Sequence, residues 1–183
     1  LLALLLARAA EACTPVHVHA TVGATVIGRT RELSLPPPRK LTNEFWSIIT
    51  VPRGEPIRYV DGDTEALPLG YVAVGGAVEN FTAAPGLSEG MNEAGLTVSV
   101  QTLHLARYAD AKAHGRKQLM FGDVAAYLLG KCSTVGDVAR ALDAVTVVDN
   151  ANFAALIGRM HWSVADVSGA AVVVEYLPKT GLQ

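Results

Sequence analysis

The hydrophobic period of this sequence changes twice along the chain, and that constrains the fold more than any other feature. "VHVHATVGATVIGRT" near the start and "HWSVADVSGAAVVVEYL" near the end alternate every second residue, as half-buried strands do. Between them, "FGDVAAYLLGKC" and "STVGDVARALDAV" space their apolar residues as amphipathic helices do. Strands, then paired helices, then strands again specify an α+β layered fold with antiparallel pairing rather than a βαβ parallel sheet. At 183 residues, one domain can bury a substantial core.

The elements follow from local chemistry. The first alternating run, rich in β-branched residues and with Gly23 at its centre, predicts a short antiparallel hairpin that Cys13 opens and Arg29 ends. "LSLPPPRKLTNE" holds three consecutive prolines and is expected as an exposed loop. "FWSIITV" reads as a buried strand and "PRGEPIRYVDGDTEALPLG" as a polar, turn-rich excursion. "YVAVGGAVEN" and "GLTVSVQTLHL" are strand candidates, the first closing in glycines suited to a bulge or a close backbone approach. Helices are expected around residues 123–129 and 137–145, with Ser133 or Thr134 capping the second. The last run is a hairpin turning at Val167-Ser168-Gly169, with Val172 and Val174 on one face and Val173 on the other.

Charge and composition exclude several functions. Net charge is only -2 and the aromatics are few, so no basic stripe interleaved with rings is present to track a nucleic acid. Residues 1–10, "LLALLLARAA", are too short to cross a bilayer, and Arg8 interrupts them. They resemble the end of a secretory signal, because Ala10-Glu11-Ala12 fits the small-x-small cleavage rule just before Cys13. Residues 1–12 are therefore expected to be a signal-peptide remnant, the mature protein to be secreted or periplasmic, and no membrane to partner it. The sequon at Asn80-Phe81-Thr82 is too short a pattern to carry weight. The two cysteines, Cys13 and Cys132, are too few for a disulfide framework, and Cys132 reads as a core thiol at the end of a helix.

The chemistry centres on Cys13. A cysteine made N-terminal by cleavage gains a free α-amine, whose ordinary pKa of about 8 lets it take the thiol proton directly or through water. One residue then supplies nucleophile and base, and no cofactor is required. The predicted hairpin returns Arg29 beside Cys13, where its charge would stabilise a thiolate or hold an anionic part of the substrate. Glu32, three residues on, could orient the α-amine, or could simply pair with Arg29 at the surface. His17 and His19 share one strand face by the two-residue period. Without a further ligand cluster they read as polar strand residues rather than a metal site.

"CT" followed by "GRTREL", whose Arg29 lies sixteen residues after Cys13, then "GMNEAGLTVSV", then "HWSVADVSGAAVVVEYL", resembles the choloylglycine hydrolase family, which includes bile salt hydrolases and penicillin V acylases. All four elements occur in order from Cys13 to Tyr176. The resemblance implies the αββα fold of N-terminal nucleophile hydrolases, with two stacked antiparallel sheets between helical layers. It also implies an enzyme that hydrolyses linear amides other than peptide bonds. On it, Cys13 is the nucleophile, Arg29 the arginine beside it, and Glu32 stands where most relatives carry Asp. Asn92 belongs to a motif that turns one strand into the next. Ten residues later, where relatives line the oxyanion region with Asn or Tyr, this chain has Thr102, preceded by Gln101.

Relatives also carry a further oxyanion asparagine and a further arginine well beyond the "VVVEY" strand. Residues 13–183 are accordingly expected to be the N-terminal portion of such a domain. The leading expectation is an exported amidase acting on a small-molecule N-acyl amide: a conjugated bile salt, a phenoxyacetyl β-lactam, an acyl-homoserine lactone or another fatty amide. The alternative is a catalytically silent relative that serves as an assembly component with residues 1–12 retained. A homo-oligomer is compatible with either.

Overall fold

A computed structural model describes residues 13–19, 25–30, 47–76, 86–110, 116–149, 154, 158–178 and 181–182. The signal-like leader, the triple-proline loop, the sequon, the hairpin turn at Gly23 and Glu32 all lie outside the described residues.

The described residues open with β1 (Pro15–His19) and β2 (Thr25–Arg29), an antiparallel hairpin in which Pro15 faces Arg29 and His17 faces Ile27. Next come β3 (Ser47–Val51), a small hairpin of β4 (Pro56–Arg58) and β5 (Thr64–Ala66), β6 (Tyr71–Gly76), β7 (Gly86–Asn92) and β8 (Thr97–Thr102). Strand β9 (Lys117–Met120) leads through a 3₁₀ turn into α1 (Val124–Lys131) and α2 (Val135–Asp143), and β10 (Val145–Val148) follows. Strands β11 (Met160–Ala165), β12 (Ala171–Val174), β13 (Tyr176–Leu177) and β14 (Gly181–Leu182) complete the order.

Six of these strands form one sheet in the order β12-β11-β8-β7-β6-β3, antiparallel throughout. Its helix-side face carries Ala73, Val98, Val100, Trp162, Val164 and Val174, all buried. Gly90 sits where α1 crosses this face: a Cβ there would lie 2.7 Å from Leu129 and 2.9 Å from the Val72 carbonyl. Glycine is what lets the helix approach so closely.

The helices differ from each other. α2 is amphipathic, turning Val138, Ala141 and Leu142 inward, and Thr134 with Asp137 closes a capping box at its start. α1 is not the amphipathic helix its spacing predicts, because every residue from Val124 to Gly130 is buried. No charged residue separates Val124 from Lys131, and a helix apolar all round is a core helix. It lies against β7 and β8, and Gly130 packs on Leu67.

Three further readings are corrected. β3 is not a buried strand but the sheet edge, where Ile48 is 79% exposed. The turn-rich excursion contains the β4–β5 hairpin and buries Ile57, Tyr59 and Leu67. The second helix ends at Asp143, and Val145 begins β10, which pairs in parallel with β9. This two-stranded parallel ribbon, spanned by α1 and α2, is the one departure from antiparallel pairing among the described strands. The glycines ending β6 do mark a bulge, with a register shift between Val74 and Gly75.

An aromatic cluster closes the core. Tyr108 stacks on Phe121 at 4.8 Å, and Trp162 meets Tyr176 edge-on at 6.3 Å. The Tyr108 hydroxyl donates to the Met160 carbonyl (2.5 Å) and accepts from the Met160 amide (2.9 Å), which ties the approach to β9 onto β11.

Candidate active site

Cys13 is placed by the hairpin it precedes. The Thr14 amide donates to Thr30 Oγ1 (3.0 Å) and the Thr30 amide to the Thr14 carbonyl (3.1 Å), so strand-like pairing runs on past Pro15. Burial along the hairpin alternates strictly. Cys13, Pro15, His17, Ile27 and Arg29 are partly covered, whereas Thr14, Val16, Val18, Val26, Gly28 and Thr30 are exposed. The covered set is one strand face by the two-residue period, so Cys13 and Arg29 look the same way. That way is toward the second face of the main sheet. A cavity of about 330 Å³ lies between, lined by His17, Ile27 and Arg29 from the hairpin and by Ile48, Val72, Val74, Glu89, Ser99 and Ser163 from the sheet.

Arg29 joins the two layers. Its side chain is 8% exposed. One terminal nitrogen donates to both the Ser88 carbonyl (2.8 Å) and the Val100 carbonyl (2.7 Å), and Nε donates to the Thr30 carbonyl (3.3 Å). The β7–β8 ladder stops at Glu89 opposite Ser99. One step further, where Ser88 and Val100 would pair, the guanidinium stands in for the missing ladder bonds and satisfies two carbonyls at once. Glu89 completes the seat, with a carboxylate oxygen 3.5 Å from Nε.

A polar strip runs along the same face of β8 and β11. Gln101, which is buried, donates through its side-chain amide to Ser99 Oγ (2.8 Å) and accepts from Ser163 Oγ (3.3 Å). Opposite Gln101 in the ladder is His161, whose Nδ1 lies 2.8 Å from Glu175 Oε1. Thr102 pairs with Met160, and strand alternation puts it with Val98 and Val100 on the helix side rather than with Gln101. The structure thus brings Arg29 and His17 to the cavity, puts Cys13 on the same covered side of the hairpin, and aligns Gln101 with that layer, while Thr102 takes the opposite parity.

Other motif residues hold the scaffold. The Asn92 side chain donates to the Leu129 (2.8 Å) and Cys132 (2.7 Å) carbonyls and accepts from the Ala94 and Leu96 amides. It therefore pins the β7–β8 turn to the end of α1. Cys132, fully buried, ends that helix, and burial pushes its thiol up to about 12. Asp166 accepts from Ser168 Oγ (2.5 Å) and the Ser168 amide (2.9 Å), and its other oxygen accepts from the Val135 amide at the start of α2 (2.8 Å). Among the described residues, no three His, Cys, Asp or Glu side chains are grouped to hold a metal ion, and no helix is long and apolar enough to cross a membrane.

Residues 13–183 match the family described as linear amide C-N hydrolases, choloylglycine hydrolase family. The chain belongs to that family. The match begins at Cys13. Over 138 residues the chain is 25% identical to the conjugated bile acid hydrolase of Lactobacillus gasseri, covering 74% of this chain and 42% of that protein. The fold is similar to a mutant of the conjugated bile acid hydrolase from Clostridium perfringens, with TM-score 0.72 and 20% identity over 94% of this chain and 50% of that one. It is also similar to penicillin V acylase from Agrobacterium tumefaciens, with TM-score 0.66 and 19% identity over 94% and 48%. The choloylglycine hydrolase fold, the N-terminal nucleophile sandwich, is therefore present here, and the chain spans about half the length of the relatives it matches.

Three contacts of Arg29 in this choloylglycine hydrolase scaffold escape a reading of the sequence. Glu89 carries the single charge in "GLSEGMN", and that isolation in a small-residue segment was its only signal. The Ser88 and Val100 carbonyls are backbone groups and leave no signal in side-chain pattern.

Proposed function

We propose that the protein is an exported amidase that cleaves a small-molecule N-acyl amide with Cys13 as an N-terminal nucleophile. The observation that carries this is that Cys13, where the family match begins, lies on the same partly covered side of the hairpin as the cavity-lining Arg29. In the reaction, the thiol proton passes to the α-amine freed by removal of residues 1–12, and the sulfur attacks the amide carbonyl. The tetrahedral oxyanion collapses to an acyl-thioester and releases the amine, which takes up the proton. Water, deprotonated by the same α-amine, then hydrolyses the thioester.

Arg29 supplies a fixed positive charge on the nucleophile's face. Its Nε and one terminal nitrogen are engaged by backbone carbonyls and Glu89, which favours an orienting and electrostatic role. Gln101 has a side-chain amide, the donor type an oxyanion needs. The cavity between hairpin and sheet, apolar along Ile27, Ile48, Val72 and Val74, suits an acyl chain or ring. The neighbouring proteins are named for conjugated bile acids and penicillin V, and those two substrate classes lead the panel to be tried.

The test is Cys13→Ser in the full-length, processed protein. A hydroxyl is far less acidic than a thiol, whose ordinary pKa is about 8.5, so an amine base cannot activate it comparably. Amide hydrolysis should disappear across conjugated bile salts, penicillin V and acyl-homoserine lactones, with folding unchanged. Retained activity in Cys13→Ser, or a fully active protein whose first residue precedes Cys13, would overturn the reading. The assembly-component alternative gains if the mature protein retains residues 1–12, which intact mass reports.

A further inference from the structure

We propose that Glu89 is a positioning residue for this reaction: acting through Arg29, it holds the guanidinium over the β7–β8 gap and limits how much of its positive charge reaches Cys13. The proposal rests on Cys13 being the nucleophile.

The geometry separates two jobs within one side chain. The terminal nitrogen of Arg29 is fixed by the Ser88 and Val100 carbonyls, which carry partial charges only. The Nε edge faces the Glu89 carboxylate at 3.5 Å, the one carboxylate within ion-pair range of Arg29 among the described residues. Because Arg29 is 8% exposed, water screens its charge poorly, and whatever Glu89 does not offset is felt along the hairpin face. Cys13 is two residues from Pro15, the ladder partner of Arg29, on that face.

Among the described residues, the other groups facing this layer are few. β1 contributes His17. β3 and β6 contribute the apolar Ile48, Val72 and Val74, and β8 and β11 the hydroxyls of Thr97, Ser99 and Ser163. The His161–Glu175 pair lies further along β11 and just past the end of β12, and the α-amine of Cys13 joins the set after processing.

Glu89 differs from a purely structural acid in its setting. Its side chain is 34% exposed, and Gln in its place keeps an oxygen that can accept from Arg29. Glu89→Gln thus removes the charge while leaving the seat occupied.

The experiment measures iodoacetamide alkylation of Cys13 across the neutral pH range in the full-length, processed protein, read by mass on the Cys13 peptide. Cys132 does not interfere, being fully buried. Glu89→Gln should move the pH–rate profile to lower pH by about one unit, equivalent to alkylation up to about tenfold faster below the wild-type midpoint. Glu89→Asp, which keeps the charge, should return the profile toward wild type. The acid limb of kcat/KM should follow the same displacement.

An unmoved profile in a folded Glu89→Gln protein overturns the proposal. So does loss of folding in that variant, which would make Glu89 a structural residue. Failure of the underlying reading is distinguishable: Cys13 would then be alkylated with no loss of amide hydrolysis, while the profiles would still report whether Glu89 and Arg29 act on it.

Discussion

Arg29 illustrates how far a single residue can be read in advance. Hairpin register alone brings it back beside Pro15, and the sequence carries that register in its alternation. What it grips is not legible, because Ser88 and Val100 contribute carbonyls and Glu89 lies far away in sequence. Arg29→Met keeps the length and apolar stem but strands two buried carbonyls. Unfolding by urea should show a loss of about 2–4 kcal/mol, concentrated in the seating of the β1–β2 hairpin. A loss below about 0.5 kcal/mol would mean that water replaces the guanidinium without cost. Cys132 gives the opposite case. Its core role follows from an apolar helix pattern, and Cys132→Ser, which buries a hydroxyl in place of sulfur, should cost about 1–3 kcal/mol and leave amide turnover intact.

At the scale of elements, two corners hold the fold, and both lie in stretches whose spacing could be seen before their purpose. Asn92 makes four hydrogen bonds that join the β7–β8 turn to α1. Asn92→Ala leaves the Leu129 and Cys132 carbonyls without that donor and should cost about 2–4 kcal/mol in thermal or urea unfolding. Asp166 joins the β11–β12 turn to the start of α2. Hydrogen bonds from Ser168 and from the Val135 amide hold its carboxyl below the ordinary value of 3.8. A carboxyl depressed on folding contributes stability above its unfolded value, and that stability is lost as pH falls through the folded value. Wild type should therefore outlast Asp166→Asn at neutral pH, and the gap should close below about pH 4.

The missed elements share a physical cause. β7 reads "GLSEGMN", too rich in small residues to show alternation, and it is a strand because β6 and β8 pair with it on both sides. β9 and β10 are four residues each, and their parallel pairing depends on how the α1–α2 pair returns the chain, which no local pattern records. β3 was legible as a strand but not as an edge. "SIITV" is equally apolar in either position, and only the sheet order decides.

At the scale of the whole molecule, the two faces of the six-stranded sheet are unequal. The helix side is closed by α1, whose Tyr127, Leu128 and Leu129 are wholly buried. The hairpin side is only partly covered, and Ile48, Val72 and Met91 stand 79%, 49% and 56% exposed on β3, β6 and β7. Ladder pairing of Val72 with Met91, and of Ile48 with Val74, puts them on one face as a contiguous apolar patch. Soluble monomers rarely show such a patch without a partner for it. Residues 13–183 expressed alone should therefore bind a hydrophobic dye and self-associate as concentration rises. Ile48→Thr with Met91→Lys tests the cause. Thr keeps the β-branched shape an edge strand favours, Lys discourages edge and face pairing, and neither removes a core contact. Dye fluorescence and the sedimenting oligomer should both fall, while unfolding free energy stays within about 0.5 kcal/mol. Leu128→Ala on the covered face is the control, expected to cost about 2–5 kcal/mol and to increase dye binding. If the double variant self-associates as strongly as wild type, the contact lies elsewhere, with the exposed Val16, Val18 and Val26 of the hairpin's outer side next in line.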